Sequence, residues 1–291
     1  MQQTYTIKVY KKIYLLMLKF LFYSFCCIAT ISFCGCANAP TNKYKATNKS
    51  YKKQSKAFAK NISQYPLKDS AGLNFGEYFV GTTNFSMRKP NFVIIHHTAQ
   101  NSCEQTLKTF TLPRTQVSAH YVICKDGTVH HMLNDYLRAH HAGAAKWGNS
   151  TDINSNSIGI ELDNNGYQYF DDAQINSLII LLERLKKQHG IPVANFIGHG
   201  DIAPTRKNDP NWRFPWKQLS DKGFGLWFGD TTNTFVPSDF NNIAALRIVG
   251  YDVKDTSAAK IGFKRHWLQD TTKTFTPQHQ KVLYELMKKF M

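Results

Sequence analysis

Apolar and polar positions along the chain repeat with two different periods, and the change from one to the other marks the predicted elements. Short apolar, β-branched runs predict strands at 91–95, 120–124, 128–132, 158–162 and 194–197. The second and third of these flank Lys125-Asp126-Gly127, a turn signal that predicts a hairpin. Ile175, Leu178, Ile179, Leu182 and Leu185 recur at helical spacing, with Asp171 or Asp172 in front and Gly190 behind as start and stop. Strands interleaved with a helix predict an α/β fold, a central mixed sheet flanked by helices. Beyond Asp230 the period is helical. Ile243, Leu246, Ile248 and Tyr251 fit one helix and its turn, Ile261, Phe263, His266 and Trp267 a second. Thr276-Pro277-Gln278 opens a third, with Val282, Leu283, Leu286 and Met287 on its apolar face. The expected organisation is a body at 74–230, a linker, and a small helical domain at 238–291.

The first residues follow neither period. Lys8, Lys11 and Lys12 precede an apolar run from Ile13 to Phe33, broken only by Lys19, which is the pattern of an export leader over residues 1–36. The Gly35-Cys36 step resembles a bacterial lipobox, with Cys36 as the lipid attachment site, although Phe33 and Cys34 replace the usual Leu and small residue. A simple cleaved signal and an uncleaved anchor are the other two readings, since about 20 apolar residues can cross a bilayer. All three place the body outside the cytoplasm, periplasmic or secreted. Residues 37–73 then read as a flexible basic tether, rich in Lys, Asn, Ser and Thr with little to bury.

Charge changes meaning once it is mapped. The formal net charge is +16, but residues 1–60 hold eleven Lys and no acidic residue, leaving 25 basic and 20 acidic groups in 61–291. Without a basic body, nucleic acid is not an expected partner. Cys103 and Cys124 are the two cysteines of the body, and with no CxxC spacing they do not suggest a structural zinc site; pairing and burial as free thiols both stay open.

Metal-competent residues sit where apolar strands end. His96, Glu161 and His199 each lie in or close such a run, and Asp209 follows ten residues after His199 on a Pro-containing loop. A catalytic zinc takes three N or O ligands and keeps one position open. His96, His199 and Asp209 can supply that set. Glu161 can act as general base, and Lys207 can stabilise a developing oxyanion. Singly, each residue reads as an ordinary hydrogen-bonded or surface group.

Five segments, in order, carry more: IIHHTA at 94–99, VSAHYVICKDGTVHHM at 117–132, HHAG at 140–143, NSIGIELDN at 156–164 and GHGDIAPTRKNDP at 198–210. Together they resemble the type 2 N-acetylmuramoyl-L-alanine amidases, zinc enzymes related to peptidoglycan recognition proteins. The resemblance implies a three-layer fold and one Zn2+ held by His96, His199 and Asp209. It makes Glu161 the acid/base and Lys207 the transition-state stabiliser. It puts His141 in the wall of the substrate cleft and brings Arg206 to a substrate carboxylate. His97 stands where the family often has an aromatic, which leaves His97 as an alternative ligand to His96; strand alternation sends the two to opposite faces. His140 stands where the family commonly has Trp. The last residues resemble the small three-helix peptidoglycan-binding module of such amidases, the other reading being a helical appendage packed on the body. The implied activity is hydrolysis of the MurNAc–L-alanine amide by a monomer that acts on peptidoglycan or muropeptides, with membrane anchoring through the N-terminus. A non-catalytic recogniser and an amidase for soluble anhydro-muropeptides are the alternatives.

Overall fold

The computed structural model describes residues 42–63 and 81–291. The chain divides into two units, Met1–Val80 and Gly81–Met291. In the first, the described residues form one helix, α1 (Lys45–Ile62), of which no residue is buried. This corrects the expected coil: composition with nothing to bury argues against a core, yet Lys, Ala and Gln are good helix formers and need no tertiary partner to favour a helix. The leader and Cys36 lie outside the described residues. Among the described residues no helix is long and apolar enough to cross a membrane.

The second unit is built on a five-stranded sheet in the order β3-β2-β4-β1-β5. Its strands are β1 (Phe92–His97), β2 (Tyr121–Ile123), β3 (Val129–His131), β4 (Ser157–Leu162) and β5 (Phe196–Gly198). Strands β2, β4, β1 and β5 run parallel, and β3 is antiparallel to β2, closing the hairpin expected around Gly127. The fifth strand starts later than its apolar pattern suggests, because Val193–Asn195 forms a 3-10 turn after Pro192.

Alternation along the strands divides the core into two halves. Val93, Ile95, Ile158, Ile160, Leu162 and Phe196 face one side, where α4 (Asp172–His189) lays Ile175, Leu178, Leu181, Leu182 and Leu185 across them. Gly190, at φ +65°, ends that helix in the left-handed conformation that glycine adopts freely. Before it in the chain, α2 (Cys103–Thr111) and α3 (Ile153–Asn156) flank the sheet, and a disulfide joins Cys103 at the start of α2 to Cys124 just after β2.

Ile94 and Ile197 point to the opposite side, and their cover comes from the end of the chain. After α5 (His199–Ile202) and α6 (Trp216–Asp221) come α7 (Asn242–Val249), α8 (Thr256–Leu268) and α9 (Pro277–Phe290). All three end helices start on side-chain caps, from Asn241, Asp255 and Thr276. Leu246, Val249, Phe263, Trp267, Val282, Leu283 and Leu286 share one buried cluster with Ile94, Ile197, Ile202 and Trp147. The helices are those expected, but the expected separate domain is not. Periodicity shows which face of a helix is apolar; it cannot show that the sheet lacks a cover of its own on that side.

The join is tight at Gly250, whose φ is +130° and whose carbonyl accepts a hydrogen bond from the Gly148 N–H at 2.7 Å. A Cβ added to Gly250 would come within 2.4 Å of the Trp147 ring. Gly250→Ala is therefore expected to destabilise the unit by about 2–4 kcal/mol through overpacking and backbone strain. That corresponds to a melting temperature lower by roughly 5–15 °C. An unchanged melting temperature in a calorimetric scan would show that the end helices dock loosely.

Candidate active site

Strand register assembles the site. Pairing of β1 with β4 sets His96 beside Glu161, and pairing of β1 with β5 sets Ile95 beside Gly198, so His199 follows at the same level as His96. The residues therefore meet at the carboxyl ends of parallel strands, where sites in such sheets collect. The chain then leaves through α5 and returns in a loop that brings Asp209 back, held by the Gly200 N–H donating to the Asp209 carbonyl at 2.6 Å. A Cβ on Gly200 would displace the end of the Arg265 guanidinium, 2.6 Å away, and sit 3.4 Å from the Asp209 and Lys207 carbonyls.

The result is a triangle. His96 Nδ1, His199 Nδ1 and Asp209 Oδ2 lie 3.0 Å from one another, pair by pair, and all three residues are buried. The second nitrogen of each ring is engaged elsewhere: His96 Nε2 with His141 Nδ1 at 3.1 Å, His199 Nε2 with the Ala142 carbonyl at 3.1 Å. A carbonyl can only accept, so His199 Nε2 carries the proton and its Nδ1 offers a lone pair. Burial, then the neighbouring His199, lowers the His96 pKa to about 4, which keeps that ring neutral near pH 7. Burial would raise the Asp209 pKa, but the two imidazoles beside it outweigh that and hold it well below the usual carboxylate range. Two imidazole nitrogens and one carboxylate oxygen, all on buried residues, thus converge on one point. Lone pairs from two imidazoles and a carboxylate in this arrangement fit a zinc ion. Among the described residues one other group has metal-ligand spacing, Cys103, Cys124 and His130, but its sulfurs are joined in the disulfide.

His97 does not belong to the triangle. It points to the other face of the sheet, where its Nδ1 accepts from the Asn211 N–H at 3.0 Å. Alternation thus puts His96, and not His97, in the triangle.

Glu161 Oε1 lies 4.0 Å from His96 Nδ1, and Oε2 is buried without a hydrogen-bond partner. Burial, followed by the charge of Asp209, pushes its pKa up to about 8, against the opposing pull of Lys207. A cation in the triangle would act in the same sense as Lys207. Lys207 itself is exposed, near enough to oppose protonation of both His96 and His97.

His141 and Arg206 both have partners within the protein. His141 lies behind His96: its ring crosses Gly159, where a Cβ would come within 2.5 Å, and its Nε2 meets Ser157 Oγ at 3.1 Å. Arg206 turns its guanidinium onto the protein, donating to the carbonyls of Ala142 and Ala144. His140 is exposed, and its N–H donates to Ser118 Oγ.

Sequence reading missed Asp201. Its carboxylate accepts from the Gly198 N–H at 2.7 Å and from the Tyr251 hydroxyl at 2.6 Å, and lies 2.7 Å from His266 Nδ1. Arg265 adds a bond to the Lys207 carbonyl at 3.3 Å. Through these contacts α8 and the turn before it brace the segment that carries His199, Lys207 and Asp209. Asp201 stands inside the quoted GHGD motif, but Tyr251 and His266 lie 50 and 65 residues further along the chain and no local pattern marks them.

Comparison with known proteins agrees with this geometry. Residues 86–212 match the family model Amidase_2, N-acetylmuramoyl-L-alanine amidase. The chain is 36% identical over 151 residues to N-acetylmuramoyl-L-alanine amidase AmiD of Escherichia coli, a match covering 46% of this chain and 54% of that protein. It is 37% identical over 104 residues to the 1,6-anhydro-N-acetylmuramyl-L-alanine amidase AmpD of the same organism, covering 36% of this chain and 57% of that one. The match thus spans a little over half the length of these relatives. Among solved structures, a complex of E. coli AmiD with the substrate anhydro-N-acetylmuramic acid-L-Ala-D-gamma-Glu-L-Lys is similar with a TM-score of 0.63 at 27% identity, covering 72% of this chain and 93% of that chain. AmpDH3 from Pseudomonas aeruginosa is similar with a TM-score of 0.64 at 25% identity, covering 75% of this chain and 98% of that chain.

Proposed function

We propose, from the match of residues 86–212 to the Amidase_2 family model, that the whole chain is a zinc-dependent N-acetylmuramoyl-L-alanine amidase acting on peptidoglycan. The observation that carries this reading is the buried His96–His199–Asp209 triangle with the Glu161 carboxyl 4.0 Å from His96 Nδ1. Zinc, when bound by these three residues, supplies Lewis-acid polarisation of the scissile carbonyl and acidifies water. The protein does the rest. Glu161 takes a proton from the attacking water and returns it to the departing nitrogen. The Lys207 ammonium faces the negative charge that develops on the carbonyl oxygen. Water is added across the amide: the C–N bond breaks, the lactyl group of muramic acid becomes a carboxylic acid, and L-alanine regains a free amine.

A second reading concerns the glycan end. The similar solved structures include AmpDH3 in complex with anhydromuramic pentapeptide, which favours anhydro-muropeptides as substrates alongside the intact polymer. In the same proposal the enzyme is exported and reaches the wall from a membrane anchor, with Cys36 as the lipid site. The leader pattern supports this, as does the Cys103–Cys124 disulfide, a bond that persists in oxidising compartments.

Mass spectrometry tests both readings. Full-length protein should release free peptides beginning at L-alanine from purified sacculi, and the same peptides from anhydro-muropeptides. Products cut in the glycan or between amino acids would overturn the proposal, and inactivity on the anhydro substrate would overturn the second reading.

A further inference from the structure

The triangle needs both imidazoles to present Nδ1, and the hydrogen bonds behind the rings can hold them so. His199 Nε2–H donates to the Ala142 carbonyl. His96 Nε2 meets His141 Nδ1, His141 Nε2 meets Ser157 Oγ, and the Ser157 hydroxyl, 2.6 Å from the Ile153 carbonyl, donates to it. Reading this chain back from its terminal carbonyl assigns every proton. Ser157 spends its hydrogen on Ile153, so Oγ accepts from His141 Nε2–H. His141 Nδ1 then accepts from His96 Nε2–H, leaving His96 Nδ1 bare. Both chains pass through the dipeptide His141-Ala142, one through a side chain and the other through a carbonyl.

That dipeptide is itself pinned at one atom. The Asn154 Oδ1 accepts the His141 N–H at 3.0 Å and the Ala142 N–H at 2.9 Å. Asn154 is buried, sits in α3 immediately before β4, and touches none of the three triangle residues. We propose that Asn154 is a positioning residue for the metal centre: by fixing the 141–142 dipeptide it sets the tautomer and direction of both ligand histidines, with Ser157 and the Ile153 carbonyl as the end of the His96 branch. Outer partners of this kind fix ring orientation and ligand basicity at metal sites generally. The inference rests on the zinc reading of the triangle.

Chemistry supplies a discriminating pair of variants. Asn154 uses its oxygen for both bonds, so Asn154→Asp keeps an acceptor at the same place, whereas Asn154→Ala removes it. With full-length protein and a chromophoric chelator as competitor, Asn154→Ala should bind zinc about 10–100-fold more weakly than the parent. Asn154→Asp should stay within about threefold, since a carboxylate oxygen accepts the same two N–H groups. In 15N spectra of the imidazoles, the parent and Asn154→Asp should show Nε2–H tautomers at His96 and His199, and Asn154→Ala a mixture. Should Asn154→Ala fail to fold, Ser157→Ala carries the test, because it strips the acceptor from His141 while removing a single oxygen. It should weaken zinc binding about tenfold and mix the tautomers of His96 alone. Unchanged zinc affinity in the variants overturns the proposal, as does an equal loss in Asn154→Asp and Asn154→Ala that follows their melting temperatures. A parent protein that binds no zinc would instead sink the metal reading beneath it.

Discussion

Asp209→Ala is expected to abolish both turnover and zinc retention while the fold survives. Asp209 supplies the one anionic corner of the triangle, 3.0 Å from each histidine nitrogen. Two neutral imidazoles without it make a far poorer site, and the loss should exceed the roughly 10–100-fold that follows removal of an outer partner. The fold has other support. The return loop is held by the Asp209 backbone carbonyl through Gly200, which alanine retains, and by Arg265 on the Lys207 carbonyl. Neither buried apolar cluster includes Asp209. Elemental analysis for zinc, a circular dichroism melt and muropeptide turnover check the three parts separately. Stoichiometric zinc with normal turnover would show that Asp209 is not a ligand.

Glu161→Gln should keep the metal and lose the reaction. The change is nearly isosteric, and Glu161 Oε2 makes no hydrogen bond that the amide would forfeit. Glutamine cannot accept and return a proton, so kcat should fall by about 10²–10⁴. KM should move little, because proton transfer matters in the transition state and not in binding. Loss of zinc from this variant would instead make Glu161 a ligand, and the assignment of roles would have to be redrawn.

The end helices change what a truncation would mean. Read as a separate peptidoglycan-binding module, residues 238–291 look dispensable for chemistry on small substrates. In the structure they complete the core over Ile94 and Ile197, and Tyr251 and His266 clasp Asp201, two residues after His199. Affinity for the wall does not need to be invoked to explain their presence. A dual role in binding would have to coexist with this structural one.

Much of the site was legible in the chain for a physical reason. A strand places consecutive side chains on opposite faces and ends at a definite residue, so polar, metal-competent groups at the ends of apolar runs are confined to one rim. His96 and Glu161 are found that way before any register is known, and the interleaved periods of 2 and 3.6 suffice to foresee the mixed sheet and the helix after Asp172. His199 closes such a run too, and the quoted GHGDIAPTRKNDP segment makes Asp209 the third member by resemblance, since a ten-residue return loop has no periodicity to read. Tertiary structure alone decided the rest: that His96 and not His97 joins the triangle, that His141 and Arg206 have partners within the protein, and that Asn154, Asp201, Tyr251 and His266 hydrogen-bond the segments around it. Those contacts join residues far apart in the chain through single hydrogen bonds. A hydrogen bond depends on direction and on a few tenths of an ångström, and such distances exist only after the sheet has paired and both of its faces are covered.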